Sequence, residues 1–149
     1  MLSIVEKRIR RKPKYSDLHC LAAQIKEKDL HKQIAGFLAL ALTDPGIDWE
    51  TIETSNNNNN QFNQSGRKAK GVKAGTPDIL ITYNPNIERN LHYILRLEIK
   101  TSTGKMQESQ KLRIPELQAK GQFVEGVRSV EDVVTALNKY KIPHRNLVI

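Results

Sequence analysis

Thr76-Pro77-Asp78-Ile79-Leu80-Ile81-Thr82-Tyr83 and, after a turn, Tyr93-Ile94-Leu95-Arg96-Leu97-Glu98-Ile99-Lys100 decide the fold. Each is a short apolar run, and Asn84-Pro85-Asn86 between them reads as a turn, which predicts a hairpin with a long loop. Side chains alternate along a strand, so Glu98 and Lys100 share one face with Ile94 and Arg96. Leu95, Leu97 and Ile99 occupy the other face and should look into a core. Asp78, after the stiff Gly75-Thr76-Pro77 turn, stands at the mouth of the neighbouring strand. Two carboxylates and an ammonium so placed suit a hard divalent cation and an activated water, the chemistry that hydrolyses phosphodiesters. The alternative is an exposed edge strand with a Glu–Lys–Arg ion-pair ladder, worth little energetically.

Upstream, Leu18 to Leu42 has helical periodicity, with Leu30, Ile34, Phe37, Leu38 and Ala41 forming one apolar stripe. Glu27 projects near the middle of that stripe, and His31 follows one turn later. Either Glu27 points inward, where a carboxylate needs a partner or a metal, or it sits exposed in the first turn, where the helix dipole favours it. His31 reads as a partner that orients Glu27 rather than as a ligand. Thr43 to Gly46 ends the helix, and Trp49 to Thr54 reads as a strand. A polar, Asn-rich loop at about 55–66 then leads into Gly66-Arg67-Lys68-Ala69-Lys70-Gly71-Val72-Lys73. Cations among small residues let a backbone approach phosphates closely, although a solvated loop fits the same composition.

Downstream, Gly104 precedes a helix over Gln107 to Lys120, which Pro115 should kink or split and Gly121 should end. Gln122 to Val127 reads as a strand, and Ser129 caps a last helix through Leu137. The order is helix, three strands, helix, strand, helix. Trp49, Tyr83 and Tyr93 read as core residues.

The chain has 149 residues and 24 Lys+Arg against 16 Asp+Glu, a formal charge of +8, which points to a polyanionic partner such as nucleic acid. Residues 1–17 form a basic arm that includes Arg10 and Arg11; it either tracks phosphates or is simply solvated. Residues 18–149 suffice for a single domain. Cys20 is the only cysteine, which excludes an intrachain disulfide and a Cys-based zinc site and fits a reducing, cytoplasmic setting. No apolar stretch is long enough to span a bilayer, and the arm lacks the apolar centre of a signal peptide.

The motifs Gly71-Val72-Lys73-Ala74-Gly75-Thr76-Pro77-Asp78, Leu97-Glu98-Ile99-Lys100 and Gly104-Lys105-Met106 to Gln110 resemble those of the VRR-Nuc family. So do the upstream Glu27 to His31 segment and the closing Gly121 to Ser129. That family belongs to the PD-(D/E)xK nuclease superfamily, and the resemblance covers roughly residues 25–138 in the right motif order. It implies an α/β, restriction-endonuclease-like core, a central mixed β-sheet flanked by α-helices. It also implies a metal-dependent DNA endonuclease in which Asp78, Glu98 and the carbonyl of Ile99 hold Mg²⁺ or Mn²⁺, with Glu27 nearby. Lys100 would position or activate the attacking water, and Gln110 would support the site. His31 stands where family members often carry Gln, and the Asn run and Pro115 are unusual. Stand-alone members, often encoded by phages or prophages, resemble homodimeric enzymes that cut four-way (Holliday) junctions, which here would place the protein in a bacterial host cytoplasm. Arg67, Lys68, Lys70, Lys73, Arg10 and Arg11 are the expected DNA contacts. No membrane partner or small-molecule cofactor is expected. A sequence-specific restriction-type endonuclease and a non-catalytic nucleic-acid-binding module are the rival readings.

Overall fold

The computed structural model describes residues 25–52, 73–86 and 88–147. The basic arm at 1–17, the expected helix start at Leu18 and the Asn-rich loop lie outside those residues. Arg10, Arg11, Arg67, Lys68 and Lys70 lie outside them too.

Helix α1 spans Glu27–Ala41 and strand β1 spans Ile47–Thr51. Strands β2 (Ile79–Asn86) and β3 (Leu91–Ile99) follow, then α2 (Glu108–Ala119), β4 (Phe123–Val127) and α3 (Val130–Lys139). The four strands form one mixed sheet in the order β1-β2-β3-β4. The pairs β1–β2 and β2–β3 are antiparallel, whereas β4 runs parallel to β3 and is reached through α2. A parallel neighbour needs such a crossover, because a tight turn can only reverse the chain. Helices flank the sheet, and the architecture is the α/β restriction-endonuclease-like core expected from the sequence.

Strand alternation sorts the sheet into two faces with different chemistry. Ile79, Ile81, Leu95, Leu97, Ile99 and Val127 form the apolar face and are essentially inaccessible to water. Leu30, Ile34, Phe37 and Leu38 of α1 and Val133, Ala136 and Leu137 of α3 close over them as the core. Ser129 caps α3 by accepting a bond from the Asp132 amide at 3.1 Å, and Asp132 Oδ2 accepts from the Arg128 amide at 2.8 Å. These reciprocal bonds satisfy donors that a helix start leaves orphaned. The opposite face carries Glu98 and Arg96 and receives α2.

Three sequence expectations change. Asn84, Pro85 and Asn86 belong to β2, past a break in pairing register between Tyr83 and Asn86, and the chain reverses after them. Pro85 has no N–H for the ladder, which suits a position at such an irregularity. Helix α2 runs unbroken through Pro115. The carbonyl of Lys111 that loses its partner there lies on the exposed side of α2, where water can serve it. Tyr93 is 45% exposed rather than core, because it pairs with Tyr83 near the hairpin's far end. Trp49 and Tyr83 do pack against the core.

Candidate active site

The approach to Asp78 is built by a turn. The amide and the hydroxyl of Thr76 both donate to the Lys73 carbonyl, at 3.3 and 2.7 Å. Gly75 adopts φ +76°, open to glycine but strained for other residues. Its α-carbon lies so close to the start of α2 that an added Cβ would overlap the Ser109 carbonyl and stand 2.8 Å from the Gln110 nitrogen. Glycine is therefore what lets this turn and α2 touch. Pro77 and Asp78 are buried beyond it, and Asp78 Oδ2 accepts a 2.8 Å bond from the Ile99 amide.

Glu98 lies beside Asp78, since Ile79 pairs with Leu97 in the adjacent register position. Its exposure is 1% and β3 is an interior strand, which removes the reading of an exposed ion-pair ladder on an edge. One carboxylate oxygen, Oε1, accepts from Lys100 Nζ at 2.8 Å and from Gln110 Nε2. The Gln110 amide is oriented by its other end, where Oε1 accepts from the Gln107 amide at 2.9 Å. Lys100 is anchored in turn through its backbone amide, which donates to the Val127 carbonyl at 3.0 Å. The second Glu98 oxygen, Oε2, is buried and has no hydrogen-bond partner among the described residues. Burial chiefly, then the negative charge of Asp78, pushes the Glu98 carboxyl up to about 7; Lys100 opposes this, and Glu27 adds a smaller upward push.

The structure thus brings Asp78, Glu98, Lys100 and Gln110 together. Glu27, half-buried in the first turn of α1, reaches Glu98 through its charge. Among the described residues no group of three His, Cys, Asp or Glu side chains could hold a metal ion, so Glu27 does not join Asp78 and Glu98 in such a group. Ile99 turns its side chain into the core while its amide holds Asp78, and His31 is half-buried on α1. Lys73 is exposed at the foot of the turn.

A divalent cation fits what is present. Two adjacent carboxylates supply hard oxygen ligands, and the buried, unpartnered Oε2 of Glu98 is an acceptor without a donor. Mg²⁺ keeps several waters and commonly takes only one or two protein carboxylates, completing its shell with substrate phosphate oxygens.

Sequence reasoning passed over Arg128. Its guanidinium donates to the Thr101 carbonyl and, at 3.0 Å, to the Gly104 carbonyl. Arg128 therefore clasps the loop that joins Lys100 to α2, and hence to Gln110. The signal was hidden, because only the parallel pairing of β4 with β3 brings Arg128 next to that loop.

No protein-family model matches the chain, and no curated protein matches it. Among solved structures it is similar to a chain described as a VRR_NUC domain protein, with a TM-score of 0.55 and 19% identity. The likeness covers 78% of this chain and 88% of that one. At such identity the likeness is one of fold alone.

Proposed function

We propose that the protein is a metal-dependent DNA endonuclease of the VRR-Nuc type, a stand-alone member of the phage or prophage kind acting in a bacterial cytoplasm. One observation carries the reading: Glu98 and Asp78 lie buried side by side, with a Glu98 oxygen left without a partner among the described residues. Burying like charges together is costly, Lys100 engages only Oε1 of Glu98, and a module that only bound nucleic acid would gain nothing from carboxylates facing phosphates. Asp78, Glu98 and the Ile99 carbonyl would hold Mg²⁺ or Mn²⁺, with Glu27 adding negative charge nearby. Bound there, the ion lowers the pKa of a coordinated water and offsets charge on the phosphate.

The chain's own residues do the rest. Lys100, 2.8 Å from Glu98, is held where it can orient the attacking water and stabilise the crowded, negatively charged phosphorus centre. Gln110 and Lys100 hold the Glu98 carboxylate through Oε1, which would leave Oε2 for a cation. Water attacks in line, a new P–O bond forms, and the bond to the 3′-oxygen breaks. The products carry a 5′-phosphate and a 3′-hydroxyl once the leaving oxygen takes up a proton. Basic residues, Lys73 and the Arg67–Lys70 segment among them, hold the backbone without reading bases.

The preferred substrate in this reading is branched DNA such as a four-way junction, cut by a homodimer whose two sites are related by a two-fold axis. The test is cleavage of a panel of junction, flap, splayed arm and linear duplex with Mg²⁺ or Mn²⁺. Preferential, symmetric incision of the junction is the expected result. Equal cutting of all four shapes removes the structural selectivity, and cutting only at one recognition sequence replaces it with the restriction-type reading.

A further inference from the structure

Two donors converge on Glu98 Oε1: Lys100 Nζ at 2.8 Å and Gln110 Nε2. They stand at opposite ends of one loop. Lys100 directly precedes it, and Gln107, whose amide donates to Gln110 Oε1 at 2.9 Å, closes it as the cap of α2. The shape of that loop therefore sets where both donors stand relative to Oε1. Its first part is a tight turn, in which the Gly104 amide donates to the Thr101 carbonyl at 3.0 Å. A Cβ added to Gly104 would lie 3.1 Å from Thr101 Oγ1 and 3.2 Å from the Thr101 nitrogen. Those contacts lie within the turn and do not hold it to the sheet.

Two successive residues at the end of β4 do so. The Val127 carbonyl accepts from the Lys100 amide at 3.0 Å. Arg128 then sends its two terminal nitrogens to the carbonyls at the two ends of the turn, Nη1 to Thr101 and Nη2 to Gly104 at 3.0 Å. A guanidinium is a rigid planar fork, so spanning two acceptors fixes their spacing as well as their distance; an ammonium is a single point. Both acceptors are uncharged, so what Arg128 supplies here is direction rather than charge balance. The fork has a fixed base: the Arg128 amide donates to Asp132 Oδ2 at 2.8 Å, and the Asp132 amide donates to Ser129 Oγ. Contacts thus run from the first turn of α3 through Arg128 to the turn, and from there to Lys100 on one side and Gln110 on the other.

We infer that Arg128 is a positioning residue for the Glu98 site: by clasping the Thr101–Gly104 turn it keeps Lys100 and Gln110 together on Oε1, which leaves Oε2 for a cation. The consequence for turnover rests on the nuclease reading of Glu98, but the clasp itself is measured without DNA.

The test uses the full-length protein with Arg128→Ala and Arg128→Lys. Without DNA, the Gly104 and Gln107 amides should exchange with solvent about tenfold faster or more in Arg128→Ala, the loss expected when charge-assisted hydrogen bonds are removed. Amides of the β2–β3 ladder should keep their rates. Unchanged exchange at both loop amides overturns the clasp, because the turn then stands by itself. An equal rise throughout the sheet also overturns it, because Arg128 then only stabilises the fold. On a four-way junction of synthetic DNA, Arg128→Ala should lower kcat about 10–100-fold, as removal of a partner behind a metal-site ligand does. Its DNA affinity, measured with Ca²⁺ in place of Mg²⁺, should match that of wild type. Arg128→Lys keeps the charge but not the fork, and should stay well below wild type in kcat. Weakened binding with kcat intact would make Arg128 a phosphate contact, and full activity in Arg128→Lys would show that charge alone suffices; either result overturns the positioning role. In a Gln110→Ala background, Arg128→Ala should cost less than it does alone, because part of its effect passes through Gln110, and additive losses overturn that link. If the wild-type protein cuts no DNA in Mg²⁺, the nuclease reading fails, while the exchange rates still decide whether Arg128 holds the turn.

Discussion

Glu98 carries an electrostatic cost of burial, and the cost has a pH signature. Its carboxyl titrates near 7 in the fold against an ordinary value of 4.5, so the folded state binds the proton more tightly than the unfolded chain does. The contribution of this group to stability is then greatest below pH 4.5 and falls as pH rises through 4.5 to 7, by about 3 kcal/mol. Glu98→Gln imitates the protonated form, so in chelator its melting temperature should exceed that of wild type by a margin that opens with pH over this window. A divalent cation should close the margin at high pH. Parallel melting curves at pH 5 and pH 8 would contradict the burial argument. Asp78, Glu98 and Lys100 were legible as neighbours because strand periodicity is strict and their spacing falls on one face. Gln110 was legible only as a helix residue able to reach back to the site, and its supporting role came from the family resemblance. Arg128 was illegible for a different reason: no periodicity says which loop a parallel neighbour strand brings alongside its end.

Among the elements, the contact between the Gly75 turn and α2 sets the distance from Asp78 to Gln110. Gly75→Ala should cost about 1–3 kcal/mol through backbone conformation alone. The overlap of the new Cβ with the Ser109 carbonyl adds to that. Denaturant unfolding measures the sum, and a change below about 0.5 kcal/mol would show that the turn does not bear on α2 as described. The first and last helices and the strands were readable because each apolar stripe has one dominant period, whereas α2 buries only Gln110 and Leu117 and was read from the glycines that flank it. Boundaries were less readable. Asn84-Pro85-Asn86 has the composition of a turn, yet strand pairing resumes at Asn86 beyond the irregularity and moves the reversal onward. Pro115 has the chemistry of a helix breaker, yet its cost falls on an exposed carbonyl, and packing of Leu117 and Gln110 on either side holds α2 together. In both places tertiary contacts outweighed a local preference.

On the scale of the whole molecule, the proposed meeting with a polyanion rests on a charge of +8 and on the sheet face that carries Glu98 and Arg96. No helix among the described residues is long and apolar enough to cross a membrane. One chain carries one pair of site carboxylates, so paired incisions in a junction call for two copies; sedimentation at micromolar concentration should find a dimer, and monomer alone with junction cutting intact would require assembly on DNA instead. The most direct test of the central claim is nicking of a supercoiled plasmid by wild type and Glu98→Gln side by side, each with Mg²⁺ and with chelator. The account predicts relaxed and linear products only for wild type with Mg²⁺, with the variant folded, able to bind DNA and at least a thousandfold slower, as expected for loss of a central catalytic group. Equal nicking by Glu98→Gln, or nicking by wild type that persists in chelator, would contradict it.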